Sequence, residues 1–161
     1  MNSIFDPNAL LSATIDTPMT KRNLLPAGQD YIGEIGEPKM RKWIKKDDPS
    51  VGGVACDLTI EVKSEELTPA QKEQLGSFDG KLIFRDSIMI DLTPEGAIDT
   101  ASGKNGKLRM YREALDMNKP GDQFSFLAMQ GRRIRFKLKH QVNPDFNNGE
   151  PTEQVAAIAK A

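Results

Sequence analysis

Residues 131–140 read Gly-Arg-Arg-Ile-Arg-Phe-Lys-Leu-Lys-His and carry the densest functional chemistry in the chain. With the two-residue period of a β-strand, Ile134, Phe136 and Leu138 share one face, while Arg133, Arg135, Lys137 and Lys139 share the other. Alternate residues on a strand stand about 6.6 Å apart, so these four cations form a row that repels itself unless something anionic and linear lies along it. A polynucleotide backbone meets that description, and Arg132 at the entry to the run adds a fifth charge. The competing reading is an amphipathic strand whose solvated face happens to be basic, which is common on antiparallel sheets. The run contains no acidic residue in a chain whose charges otherwise balance, which favours the first reading.

A second cationic stretch, Lys39-Met40-Arg41-Lys42-Trp43-Ile44-Lys45-Lys46, holds the only Trp in the chain. A flat indole flanked by Arg41, Lys42, Lys45 and Lys46 joins a stacking surface to phosphate-pairing charge, the combination that serves single-stranded nucleic acid. A lone Trp is equally at home as a core anchor, and the sequence does not separate the two roles. Arg85 falls where it projects from a strand toward a ligand, and Phe84 and Tyr111 are further aromatic candidates, Tyr111 more naturally for packing. Residues 102–107, Ser-Gly-Lys-Asn-Gly-Lys, superficially match a phosphate-binding loop. That motif requires glycine where this chain has Ala101, and Ser or Thr where it has Leu108. The segment reads instead as a flexible loop whose Lys104 and Lys107 reach a phosphate backbone.

Composition bounds the remaining chemistry. Among 161 residues, 22 Lys and Arg oppose 23 Asp and Glu for a net charge of −1, so an anionic partner must be met by a local patch. One Cys excludes an internal disulfide, and one Cys with one His cannot build a zinc site of ordinary ligand spacing. Cys56 sits on the apolar set of its strand and reads as a small core residue; His140 reads as structural. No His is paired with a carboxylate and no nucleotide fingerprint is present, so neither catalysis nor a cofactor is expected. A carboxylate-only site drawn from Asp57, Glu61, Asp86 or Asp91 is the remaining route to an enzyme. No apolar run approaches the roughly 20 residues a bilayer span needs, and the start of the chain lacks a signal-peptide pattern. A soluble, cytoplasmic protein with no membrane partner is expected, in the host cytoplasm if the chain is viral.

The elements that must position these residues are short. Residues 1–25 form an arm, with Asp6-Pro7 capping a brief turn and Leu10, Leu11, Leu24 and Leu25 available to clip it to the body or to a second subunit. A turn at 26–30 launches the first strand near Tyr31, where Gly33 and Gly36 predict a bend and Pro38 breaks the ladder. Residues 47–53 read as a turn-rich connector and 54–62 as a strand. Thr68-Pro69-Ala70-Gln71 is a capping box that starts a short helix ending before Gly76. Residues 81–92 give the longest alternation, with Leu82, Phe84, Ile88, Ile90 and Leu92 beside Asp86 on one face and Ile83, Arg85, Ser87, Met89 and Asp91 on the other. Two apolar faces predict a central strand, and Asp86 predicts a bulge or a buried polar partner. A helix is predicted over 107–117. After His140 the pattern dissolves, so 144–161 reads as a flexible tail with a weak alanine-rich helix over 152–161.

A bent first strand, a helix between later strands and a basic last strand predict a mainly β fold. The expected architecture is an OB-fold, a five-stranded Greek-key barrel over 26–143 with one or two short helices and flexible terminal arms. The segments at 26–35, 54–62, 80–84, 108–115 and 130–134 together resemble bacteriophage single-stranded-DNA-binding proteins of that fold. The resemblance spans about 26–142 and is one of layout. It implies a non-enzymatic protein that coats exposed single strands during phage replication or recombination, alongside replication or recombination partners. Many such proteins end in an acidic recruiting tail, whereas this chain ends Ala-Lys-Ala. The alternative class is a phage structural or assembly protein whose arms exchange between subunits, giving a homo-oligomer through the N-terminal arm.

Overall fold

Alternating apolar positions in six segments build a single antiparallel sheet: β1 (Asp30–Ile35), β2 (Lys39–Lys45), β3 (Asp48–Val62), β4 (Leu82–Ile90), β5 (Arg133–Gln141) and β6 (Thr152–Lys160). The computed structural model describes residues 22–121 and 124–161, together with Asn8, Leu11 and Thr14. Most of the expected arm therefore lies outside the described residues. The strand order is β2-β3-β1-β5-β6, with β4 paired to β3.

The long β3 organises the sheet. Its residues 54–57 pair with both β2 and β4, and Ile60 and Glu61 pair with both β1 and β4. β1 and β2 must therefore lie end to end along one edge of β3, with β4 on the other. The break between them, Gly36-Glu37-Pro38, falls where Pro38 has no N–H to donate. Gly33 meets a packing demand, since a Cβ there would run into the Ile60 side chain and lie 3.3 Å from the Phe136 ring. β1 is thereby free to serve both β3 and β5.

The other strand expectations are corrected in three places. Residues 48–53 are strand rather than connector, because β2 and the first half of β3 continue as a hairpin that turns at Lys46 and Asp47. β4 is hydrogen-bonded to β3 alone, and it leaves Ile83 and Met89 each 48 % exposed instead of buried between two layers. The expected tail helix is β6, paired along β5 and carrying buried Val155 and Ile158 into the core. A one-residue bulge marked by Ala157 at φ 48° keeps both of those side chains on the inner face. Alanine's helix preference amounts to tenths of a kcal/mol per residue, less than a strand gains by completing a ladder over a buried face.

Two helices complete the body. α1 (Pro69–Leu75) has the expected capping box: the Gln71 amide donates to Thr68 Oγ1, and the Gln71 side chain accepts from the Thr68 N–H at 2.9 Å. α2 (Gly106–Ala114) buries Leu108, Tyr111 and Ala114 against β4 and β6. Those strands approach one another without pairing, so the sheet is open there and α2 covers the gap. Asn105, buried in the left-handed region at φ 53°, ties down the loop before α2. Its amide group donates to the carbonyls of Asp91 and Asp99 at 2.9 and 2.8 Å, and its side-chain oxygen accepts from the Asp91 N–H. The segment read as a flexible phosphate-touching loop is thus pinned at its end.

The core runs through the inner faces of β1, β3, β4 and β5, where the Phe136 ring contacts both Tyr31 and Phe84. Cys56 is fully buried among them, and burial pushes its thiol up to about 11. A two-unit rise cuts the thiolate fraction about a hundredfold at neutral pH, so Cys56 in the native protein should label with a thiol reagent at least about 100-fold more slowly than in denaturant. Labelling at the same rate in both would show that this strand is not packed as described. Residues 22–25 of the arm dock on this body. Leu25 is buried, its N–H donates to Glu153 at 2.7 Å, its carbonyl accepts from His140 at 2.8 Å, and Arg22 forms an ion pair with Glu153. Among the described residues no helix is long and apolar enough to cross a membrane, and no cluster of three or more potential metal ligands occurs.

Candidate nucleic-acid interface

Strand register decides which side chains share the outer face of the sheet. Residues directly opposite one another point the same way, so Lys39, Arg41 and Trp43 on β2 join Asp57, Ala55 and Gly53 on β3, and these join Ser87 and Met89 on β4. One step along, Thr59 pairs with Arg85 and Glu61 with Ile83. This face is wetted: Lys39, Arg41, Thr59, Arg85 and Met89 are exposed and Trp43 is half-buried.

Trp43 lies against the backbone of its cross-strand partner. A Cβ at Gly53 would lie 3.0 Å from the indole Nε1 and 3.2 Å from Cε2 and Cζ2, so any side chain there would push the ring back by a few tenths of an ångström. The indole stands outside the buried cluster, on a two-stranded ribbon between Arg41 and Lys45. Trp43 therefore lies on the surface of the ribbon and is no part of the buried core.

Arg41 is held by Asp57 in a two-point ion pair, with Nε at 2.7 Å and Nη2 at 3.1 Å from the carboxylate oxygens. Ser87 Oγ donates to the same carboxylate at 2.5 Å. The Arg41 guanidinium, followed by the Ser87 hydroxyl, holds the Asp57 carboxyl below its usual range. Lys39 and Arg85 make no ion pair among the described residues. They border a depression of about 520 Å³ that is floored by Asp57, Thr59 and Ser87.

The basic row on β5 does lie on this outer face, opposite Glu34, Ile32 and Asp30 of β1. Two of its four cations are neutralised. Arg133 pairs with Glu66, and Lys137 lies 2.8 Å from Asp30, whose carboxyl that lysine holds below its ordinary value. Arg135 and Lys139 carry no ion pair among the described residues. Between this row and the β2–β4 patch stand Glu34 and Glu61, direct cross-strand partners that set two carboxylates side by side. The two basic segments therefore share a face but form two patches with an acidic divide.

The other expected site residues fall elsewhere. Phe84 points inward, buried edge-on against Phe136 at 5.6 Å, with the Arg22 guanidinium 5.3 Å above its ring. Tyr111 is fully buried and donates to Asp86 at 2.5 Å; burial, with the Asp86 charge second, pushes its hydroxyl far above its ordinary value. Neither ring can receive a base. Lys107 is spent on Asp86 at 2.5 Å, so Asp86 has the buried polar partners predicted for it and the β3–β4 register runs without a bulge. Arg132 donates to the Leu115 carbonyl at 2.8 Å, and Lys104 stands in the exposed loop before α2. Lys42 is on the opposite face of the ribbon from Trp43, while Lys45 and Lys46 follow at its tip beyond a register shift. The residues sequence reasoning passed over are Lys39, Ile83 and Met89. For Ile83 and Met89 the signal was the non-core face of the β4 alternation, which reads as buried until its exposure is known, and for Lys39 it was the first position of the basic β2 stretch.

Compared with protein-family models, curated proteins and solved structures, the chain has no match.

Proposed function

We propose that this chain binds single-stranded DNA with little sequence preference, through the outer face of β2, β3 and β4. The observation that carries the reading is the half-buried Trp43 indole seated on Gly53, with Lys39, Arg41 and Arg85 on the same wetted face. Stacking on an indole tolerates any base, and neighbouring cations follow any backbone, so this pairing selects single strands without reading sequence. Ile83 and Met89, exposed beside Arg85, extend the apolar surface on which bases can lie.

The same reading takes the sheet as a partly open barrel of the OB type. Its support is the strand order: β1 and β2 act as one bent strand, followed by β3 and β4, a helix, and then β5 and β6 returning to β1 and toward β4. In that architecture the face formed here by β3 and β4 is the usual ligand surface, so fold and side chains point to the same patch. The layout resemblance to phage single-strand-binding proteins supports work in phage replication or recombination. The assembly alternative draws less support, because the described end of the arm docks on its own body through Leu25 and Arg22.

A titration of Trp43 fluorescence with oligo-dT at two salt concentrations tests the reading. Quenching is expected, with affinity falling as salt rises. Three to five phosphates neutralised by Lys39, Arg41, Arg85, Lys45 and Lys46 would give a log–log slope of about −2 to −3.5. An unquenched indole with no salt dependence would sink it.

A further inference from the structure

We propose that Asp57 is an electrostatic gate on this surface, occupying the Arg41 fork until a backbone phosphate of the bound strand displaces it. The inference rests on the reading that the outer face binds single-stranded DNA. Both carboxylate oxygens of Asp57 are engaged: Oδ2 takes Arg41 Nε, and Oδ1 takes Arg41 Nη2 and the Ser87 hydroxyl. The fork of Arg41 is therefore aimed along the protein surface and not outward. A phosphodiester offers the same two-oxygen geometry to a guanidinium, so it can replace the carboxylate like for like.

The surroundings make the exchange reversible in both directions. The Arg41 and Asp57 side chains are 48 % and 36 % exposed, so water screens the pair and holds it weakly. When Arg41 swings out, Asp57 is not orphaned, because Ser87 still donates to it and Lys39 is its direct cross-strand partner. Lys39 and Arg85, unpaired among the described residues, are permanently available to attract a strand, whereas Arg41 engages only a ligand that outcompetes a carboxylate. The gate thus weakens capture of isolated anions relative to a strand already held at neighbouring phosphates.

Asp57→Asn keeps the side-chain shape and an acceptor for Ser87 while removing the competing charge. Fluorescence anisotropy of labelled oligo-dT with the full chain should then show binding about twofold to fivefold tighter at low salt. The salt slope should change by well under the roughly 0.7 of a whole phosphate contact, because Arg41 reaches its phosphate in both proteins. In an Arg41→Ala background the same substitution should give no gain. Asp57→Ser, with a thermal melt of each variant, guards against a folding defect peculiar to one replacement. Unchanged or weaker binding by both folded variants would overturn the gate, as would an equal gain without Arg41, which would reflect net charge alone. Failure of the unsubstituted protein to bind oligo-dT would remove the surface reading and the gate together, while normal binding without the gain removes only the gate.

Discussion

Trp43→Ala should weaken oligo-dT binding by about 1 to 3 kcal/mol, roughly fivefold to 150-fold, while barely moving the thermal midpoint. The asymmetry follows from where the ring sits. Its packing is against the backbone of Gly53 on a two-stranded ribbon, outside the buried cluster, so little core contact is lost with it. Trp43→Phe keeps a smaller stacking face and should fall between the two. Anisotropy titrations and melts of the three proteins check this. A large drop in stability with unchanged affinity would return Trp43 to the role of structural anchor and leave the surface without its stacking platform.

Asp86→Ala should destabilise the protein by about 2 kcal/mol, chiefly by stranding the buried Tyr111 hydroxyl, since Lys107 is 39 % exposed and stays solvated. The Asp86 side chain is only 8 % exposed and accepts from Lys107, from Tyr111 and from the Ser87 N–H. Without it the buried Tyr111 hydroxyl has no acceptor, and an unsatisfied buried donor carries a full desolvation penalty. Urea unfolding measures the change, and a thermal midpoint lower by about 4 to 8 °C is expected for a chain of this size. Adding Tyr111→Phe to Asp86→Ala should recover part of the loss by removing the orphaned hydroxyl. Absence of any such recovery would show that the hydroxyl is satisfied elsewhere and that the cluster is not what joins α2 to β4.

The cluster also shows what holds Lys107 and Tyr111 away from the outer face. From sequence, an acid on the apolar face of β4 demands a partner but does not say which one. Lys107 and Tyr111 are four residues apart and so share one face of α2, and only the docking of α2 over the gap between β4 and β6 sets that face on Asp86. Phe84 is a simpler case. It shares parity with Leu82 and Ile88, and that face of β4 is the one that packs inward, where its ring meets Phe136.

What the sequence by itself determined was local: the periods that make strands of 54–62, 82–90 and 133–141, the capping box of α1, the break at Pro38, and the parity that puts four cations on the outer side of β5. These depend on φ/ψ preferences and on alternation within a few residues, which travel with the chain wherever it goes. Only the tertiary structure decided that the alanine-rich end is β6, that Trp43 rests on Gly53, and that Arg41 is matched by Asp57. It also decided that Glu34 and Glu61 divide the two basic segments. Those outcomes depend on cross-strand register, which joins residues far apart in sequence, and a shift of one residue would turn each of these side chains to the other face.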